Sequence, residues 1–220
     1  MIVLAPSSAQ EMYDFVELGF DLAFKYRNPA LILSDGVVGQ MMEKVDLKPQ
    51  KARWSDKEIA EMSSSWATTG KTADRKRNFI TSLAMDAVAN EELNLKLQNK
   101  YNAMDADVRF EKIHCEDAEH LFIAYGSVAR ICENAVEIAR SKGIKVGLLR
   151  PITLFPFPKK AIDELVPSLK SMMVVEMSLG QMVEDVRLVV NGRVPVNFYG
   201  RVGGIVPSPE EIFEAFIKNI

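Results

Sequence analysis

"HLFIAYGSVARICENAVEIARSKGIKVGLLRP", His120 to Pro151, reads as strand, helix, strand. The outer segments are apolar runs of strand length. Between them, Val128, Ile131, Cys132, Ala135, Ile138 and Ala139 recur at helical spacing, and Gly143 stops the helix. The unit repeats to the end of the chain. "KKAIDELVPSLK" reads as a short helix and "SMMVVEMS" as a strand. "GQMVEDVRLVVNG" is a helix with Met182, Val183, Val186, Val189 and Val190 inward, and "VPVNFYG" is a strand. "SPEEIFEAFIKNI" closes the chain. Its Ser208 cap, Pro209 at the first helical position and Glu211 three residues past the cap mark a helix start. Four strands alternating with four helices over about a hundred residues imply an α/β fold, a three-layer αβα sandwich with a mostly parallel sheet. Right-handed crossovers place every strand-to-helix loop on one edge, where such folds meet ligands and partners.

The N-terminal residues hold one more unit. "IVLA" reads as a strand. Ser7 with Gln10, or Ser8 with Glu11, forms a capping box for a helix with Met12, Phe15, Val16, Gly19, Leu22, Ala23 and Tyr26 on one face. Asn28-Pro29 ends that helix, and "ALILS" follows as a strand turning at Asp35-Gly36. The sandwich is thus preceded by a partial strand–helix–strand unit. From Leu47 to Asn78 no strand pattern is visible, residues 79–104 read as one long helix, and the region as far as Asp117 reads as a connecting arm. The expected organisation is residues 1–50, a connecting arm over 51–117, and the sandwich over 118–220. Trp54 and Trp66 either pin the arm to a neighbour or pack locally.

Composition narrows the function. The chain has 220 residues and a net charge of −3, which offers no electrostatic case for nucleic acid or an anionic membrane. The one basic run, Arg75 to Arg77, reads as a solvated loop or helix start. Cys115 and Cys132 form no CxxC, so a cluster or structural zinc site is not expected. Two cysteines suit a reducing cytoplasm, and no run reaches membrane-spanning length. His114 and His120 flank "CEDAE" without a standard ligand spacing.

Four loops share the ligand-facing edge: "YGSVAR", "RPITLFPFP", "EMSLGQ" and "YGRVGG". They supply the candidate interface or loop-edge residues Arg150, Phe155, Glu176, Gln181 and Arg201. The charges suit a ligand, a partner, or an Arg–Glu pair that fixes loop geometry. Gly126-Ser127 opens a helix whose N-terminus suits an anion, but no GxGxxG follows a strand, and "GRVGG" lacks a phosphate-loop Lys-Ser/Thr. No nucleophile–base arrangement stands out.

These residues carry a family resemblance. "LAPSSAQEMYDFVELGFDLAFKYRNPALILSDGVVGQMME" resembles the end of the pyrimidine-binding domain of 2-oxoacid:ferredoxin oxidoreductase α-type subunits. "YGSVARICENAVEIARSKGIKVGLLRPITLFPFP", "VVEMSLGQMVEDVRLVVNGRVPVNFYGRVGG" and "PSPEEI" resemble the transketolase C-terminal-like domain that follows it. The wording is nearest the 2-oxoisovalerate or 2-oxoglutarate branch.

The resemblance implies oxidative decarboxylation of a 2-oxoacid to acyl-coenzyme A, with electrons passed to ferredoxin. It implies thiamine diphosphate, magnesium and iron–sulfur clusters in the full complex. A β-type subunit would hold the diphosphate and magnesium, and a ferredoxin-like subunit the clusters. A homo-oligomer is also expected. The family's upstream pyrimidine-domain loop and its acidic residue have no counterpart here. The chain therefore resembles the C-terminal portion of an α-type subunit, with no catalytic, cofactor or metal residue expected in it. Val202 stands where the family often has proline, which loosens any role carried over to Arg201. Two alternatives share the fold: a non-catalytic dimerisation module, and the C-terminal region of the β-type chain of a lipoate-dependent 2-oxoacid dehydrogenase.

Overall fold

The computed structural model describes residues 1–48, 54–71 and 73–220. The arm expectation at residues 49–53 and at Thr72 lies outside the described residues. In chain order the elements are β1 (Ile2–Leu4), α1 (Ala9–Tyr26), β2 (Ala30–Ile32), α2 (Gly36–Gln40), α3 (Asp56–Ser63) and α4 (Ala87–Ala103), followed by β3 (Phe110–Ile113), β4 (His120–Ile123), α5 (Ser127–Ser141), β5 (Val146–Pro151) and β6 (Thr153–Phe155). The chain closes with α6 (Lys159–Leu165), β7 (Ser171–Glu176), α7 (Met182–Val190), β8 (Val196–Gly200) and α8 (Pro209–Ile217). Residues 1–45 and 103–220 form one compact unit; residues 46–102 form another.

The first unit contains two sheets. The larger has strand order β3-β5-β4-β7-β8, parallel except for β3. Successive residues of β4 point to opposite faces, so this strand feeds two cores. Leu121 and Ile123 pack with Ala161 and Ile162 of α6 and with Val183 and Val186 of α7. Phe122 and Ala124 pack with Cys132 and Val136 of α5 and with Ile212 and Phe216 of α8. Phe216 stands edge-on to Phe122 at 5.2 Å between ring centres. A sheet covered on both faces needs near-continuous apolar strands, which is how β4, β5 and β7 read apart from residues near their ends. The helix faces largely match expectation: Met182, Val183, Val186 and Val190 are buried in α7 and Val189 only partly.

The smaller sheet has order β2-β1-β6, with β1 parallel to β2 and antiparallel to β6. Helix α1 buries Phe15, Gly19 and Leu22, but Val16 and Phe20 are 49% and 76% exposed. Strand β2 lies at the end of this sheet, so the stripe on that side of α1 has no strand beneath it.

Three expectations change. Residues 110–113, expected within the connecting arm, form β3 against β5. Three of the four β3 side chains are exposed, so its ladder hydrogen bonds, not an apolar run, make it a strand. The proline-rich segment after Arg150 is not an open loop: Thr153–Phe155 form β6 against β1, and Pro156, Phe157 and Pro158 are buried. The long helix expected from residue 79 begins only at Ala87. Asp86 sets that start by accepting the Ala89 N–H on its side chain, at 2.9 Å.

Candidate functional site at the carboxyl edge of the sheets

Strand β4 leads to β5 on one side, and β5 then crosses to β7 on the other. This reversal opens a crevice beyond the carboxyl ends of β4 and β7, the usual binding position in open α/β sheets. A cleft of about 450 Å³ lies at this edge. Asp35, Gly36 and Gln40 line one side, and Met177, Arg201 and Ile205 the other.

Asp35 ties the two sheets together. Its Oδ1 accepts the Val37 and Val38 N–H groups at 2.9 and 3.0 Å, capping α2. Its Oδ2 accepts the Ser127 N–H at 2.8 Å, at the start of α5. The anion suited to that helix N-terminus is therefore a side chain of the same protein. Gly126 is required here twice over: its φ is +65°, and an added Cβ would stand 2.8 Å from Asp35 Oδ2. Nearby, burial pushes the Tyr125 phenol upward from its ordinary pKa, and the charges of Glu176 and Asp35 add to the shift.

Glu176, the last residue of β7, is 1% exposed. It accepts the Gln181, Met182 and Val183 N–H groups at 3.0–3.3 Å and the Ser178 hydroxyl at 3.1 Å. The carboxylate satisfies the free donors at the start of α7, which spares the buried charge from standing unpaired. Gln181 is exposed, and its N–H serves this turn.

Arg150 is 5% exposed at the end of β5. Its Nη2 donates to both Glu11 carboxylate oxygens at 2.5 and 2.6 Å, and its Nη1 donates to Glu111 at 2.9 Å. The arginine pairs with glutamates of α1 and β3; Glu176 is not its partner. Glu11 also holds the Ser7 N–H, while Ser8 accepts the Glu11 N–H as the α1 cap. A second tie runs from Arg130 to Glu43 at 2.7 Å, with Glu43 also accepting the Ala9 N–H.

Phe155 is 39% exposed on β6, where it pairs opposite Val3. Arg201 donates its backbone N–H to the Glu176 carbonyl, and its guanidinium lies 3.8 Å from Glu211. Of the five sequence candidates, the structure thus joins Glu176, Gln181 and Arg201 around one turn and sends Arg150 to a separate ion-pair cluster. Asp35 and Glu11 carry the joints that sequence reading missed. The available signals were the Asp-Gly after a strand and the Ser-x-x-Glu before a helix, both read only as local turn or cap.

A family model described as pyruvate flavodoxin/ferredoxin oxidoreductase, thiamine diP-binding, matches residues 1–114, more than half of the chain. The chain belongs to this family. A second model, pyruvate:ferredoxin oxidoreductase core domain II, matches residues 118–212. The ketoisovalerate oxidoreductase subunit VorB of Methanothermobacter marburgensis is 44% identical over 205 residues, which cover 92% of this chain and 56% of that protein. The 2-oxoglutarate synthase subunit KorA of Methanocaldococcus jannaschii is 36% identical over 241 residues, covering 99% and 63%. The chain therefore spans somewhat more than half the length of these relatives. A solved 2-oxoglutarate:ferredoxin oxidoreductase from Magnetococcus marinus, with 2-oxoglutarate, coenzyme A and succinyl-CoA bound, has a TM-score of 0.72. It covers 99% of this chain and 42% of that one at 20% identity, a likeness of fold.

The family description raises thiamine diphosphate, and the acids of the crevice do not fit it on their own. Asp35 and Glu176 are already engaged by backbone N–H groups, and Glu11 by Arg150. Among the described residues, no group of three or more His, Cys, Asp or Glu is placed to hold a metal ion. His114 pairs with Glu137 and His120 with Ser171, in separate places. Among the described residues, no helix is long and apolar enough to cross a membrane.

Proposed function

We propose that this chain is an α-type part of a thiamine diphosphate-dependent 2-oxoacid:ferredoxin oxidoreductase of the 2-oxoisovalerate or 2-oxoglutarate branch. Its role there is to orient and dock the domains that carry the cofactor chemistry. The observation that carries the reading is the charge arrangement at the carboxyl edge. Asp35, Arg150 and Glu176 are all spent inside the chain, while Ile205 and Val206 stand 51 and 43% exposed in the wall of the cleft. Buried charges with an apolar rim suit a docking face better than a reacting centre. The 44% identity to a ketoisovalerate oxidoreductase subunit supports the enzyme class.

In this reading a β-type subunit brings the diphosphate and magnesium, and a ferredoxin-like subunit the iron–sulfur clusters. The assembly is a cytoplasmic homo-oligomer of such sets. Residues 118–220 act as the transketolase C-terminal-like domain, residues 1–50 as the close of the pyrimidine domain, and residues 51–117 as the arm between. Phe155, Gln181 and Arg201 are proposed to meet partners, with Arg150 and Glu176 holding the loops beneath them.

Calorimetric titration of the isolated chain with thiamine diphosphate and magnesium tests the division of labour. No magnesium-dependent binding is expected, whereas mixing with a β-type subunit is expected to give a stable complex by size-exclusion chromatography. Magnesium-dependent binding by the chain alone, with Kd below about 10 μM, or failure to associate with the β-type subunit, would overturn the proposal.

A further inference from the structure

Arg130, Arg140, Arg150 and Arg193 each donate to a carboxylate oxygen at 2.5–2.9 Å. Arg201 does not. Its backbone is fixed at the end of β8, where its N–H donates to the Glu176 carbonyl at 3.1 Å. Its guanidinium makes no hydrogen bond among the described residues, and its Nε is buried without an acceptor. The one carboxylate within 4 Å of it among the described residues is Glu211, 3.8 Å from Nη2. The other oxygen of Glu211 accepts the Ser208 N–H at 2.9 Å, in the cap of α8.

This arginine lines the crevice at the carboxyl edge, where the only other charged lining residue is Asp35. Asp35 has both oxygens on backbone N–H groups, so Arg201 is the charge left for an incoming group. Around it the walls are apolar: Val37, Met177, Ile205 and Val206. A charged donor shut off from both water and protein acceptors is destabilising. The strain is relieved when the guanidinium turns toward an acceptor in the crevice, and the side chain is 35% exposed, so it can be reached. A carboxylate matches both its charge and its planar fork of donors.

We infer that Arg201 anchors a carboxylate side chain of the docked β-type subunit, carried on an apolar segment that fills the crevice. The inference rests on the docking reading above and adds the chemistry of the contact. Small-molecule sites bury most of their ligand. Here Ile205 and Val206 are exposed in the wall, which suits the surface of a protein. One arginine ringed by apolar side chains is the make-up of an interface hot spot. The apolar wall takes the body of the segment, and the arginine sets its register.

The test is the affinity of the full chain for a β-type subunit, measured by calorimetry. Arg201→Gln is expected to weaken it at least tenfold, and an unchanged circular dichroism spectrum checks that the variant folds. Exposed Asp and Glu residues of the β-type subunit are then changed one at a time to Asn or Gln. One of these changes is expected to weaken binding to the unaltered chain and to have no further effect on the Arg201→Gln chain, as a coupled pair requires. No association by the unaltered chain would remove the docking reading, and this inference with it. Association unchanged by Arg201→Gln, or no partner carboxylate coupled to Arg201, would overturn this inference and leave the docking reading in place. So would a Glu211→Gln chain weakened as much as Arg201→Gln, since the arginine would then act through its own chain. Binding of 4-methylpentanoate to the chain alone, or self-association of the chain alone, lost in either case with Arg201→Gln, would give the crevice to a small carboxylate or a second copy and overturn the inference too.

Discussion

The five-stranded and three-stranded sheets lie in one unit, yet they are finished differently. The larger has helices on both faces, and β4, β5 and β7 are almost wholly buried. The smaller ends at β2, where Leu31 and Leu33 are 38% and 41% exposed, and its helix leaves Phe20 in solvent. The same local pattern, strand then amphipathic helix then strand, thus gives a closed core in one place and an open edge in the other. The difference lies in how many neighbours each strand has. An open apolar edge is a site for pairing with more chain, either another segment or another copy. Polar side-chain contacts join the two sheets: Asp35 to Ser127, Arg150 to Glu11, and Arg130 to Glu43.

Matched truncations of two phenylalanines give the widest separation. Phe216→Ala is expected to cost about 3–5 kcal/mol, since it empties a filled site between α5, α8 and β4. Phe20→Ala, at a 76% exposed position, is expected to change stability by less than about 0.5 kcal/mol and to reduce any self-association seen by light scattering. Comparable losses in urea denaturation would break the contrast.

A cut through the ties comes next. Arg150→Met keeps the apolar stem but strands two glutamates, and is expected to cost about 2–4 kcal/mol. Glu11 and Glu111 keep some solvent contact, which holds the loss below that of a fully buried pair. Adding Glu11→Gln should then cost little more, because the two substitutions remove one interaction. Full additivity would show that Arg150 acts without its partner.

The smallest effect is in pH. The Ala9 N–H and then Arg130 hold the Glu43 carboxyl below its ordinary pKa. A lowered folded value means stability present above the unfolded pKa of about 4.5 and lost as pH falls through the folded one. Exchange protection at Ala9 should therefore hold from pH 7 to 5 and decline below, and Glu43→Gln should flatten that decline. An unchanged decline in the variant would remove Glu43 from the tie.

The αβα sandwich was legible because its strands and helices differ in period, and burial on both faces leaves unbroken apolar runs. The Ser208–Pro209–Glu211 cap and the Gly143 stop appear where local chemistry placed them. Strand β3 was hidden because "FEKI" has neither an apolar run nor alternation and three of its four side chains are exposed, and β6 because prolines flank it. The roles of the edge residues were legible only as positions. Nothing near Arg150 in sequence points to Glu11, 139 residues away, and nothing near Gly126 points to Asp35. A contact of that range depends on two sheets meeting, which no local pattern encodes.

The sequence alone determined the class of fold, the alternation of four strands and four helices over residues 118–220, the inward faces of those helices and the edge on which the loops gather. Those follow from backbone periodicity, capping and apolar burial, all set within a few residues. Tertiary structure decided which carboxylates became joints between the sheets and which strand was left at an open edge. Charges are placed by the partners they find, and those partners come from distant parts of the chain.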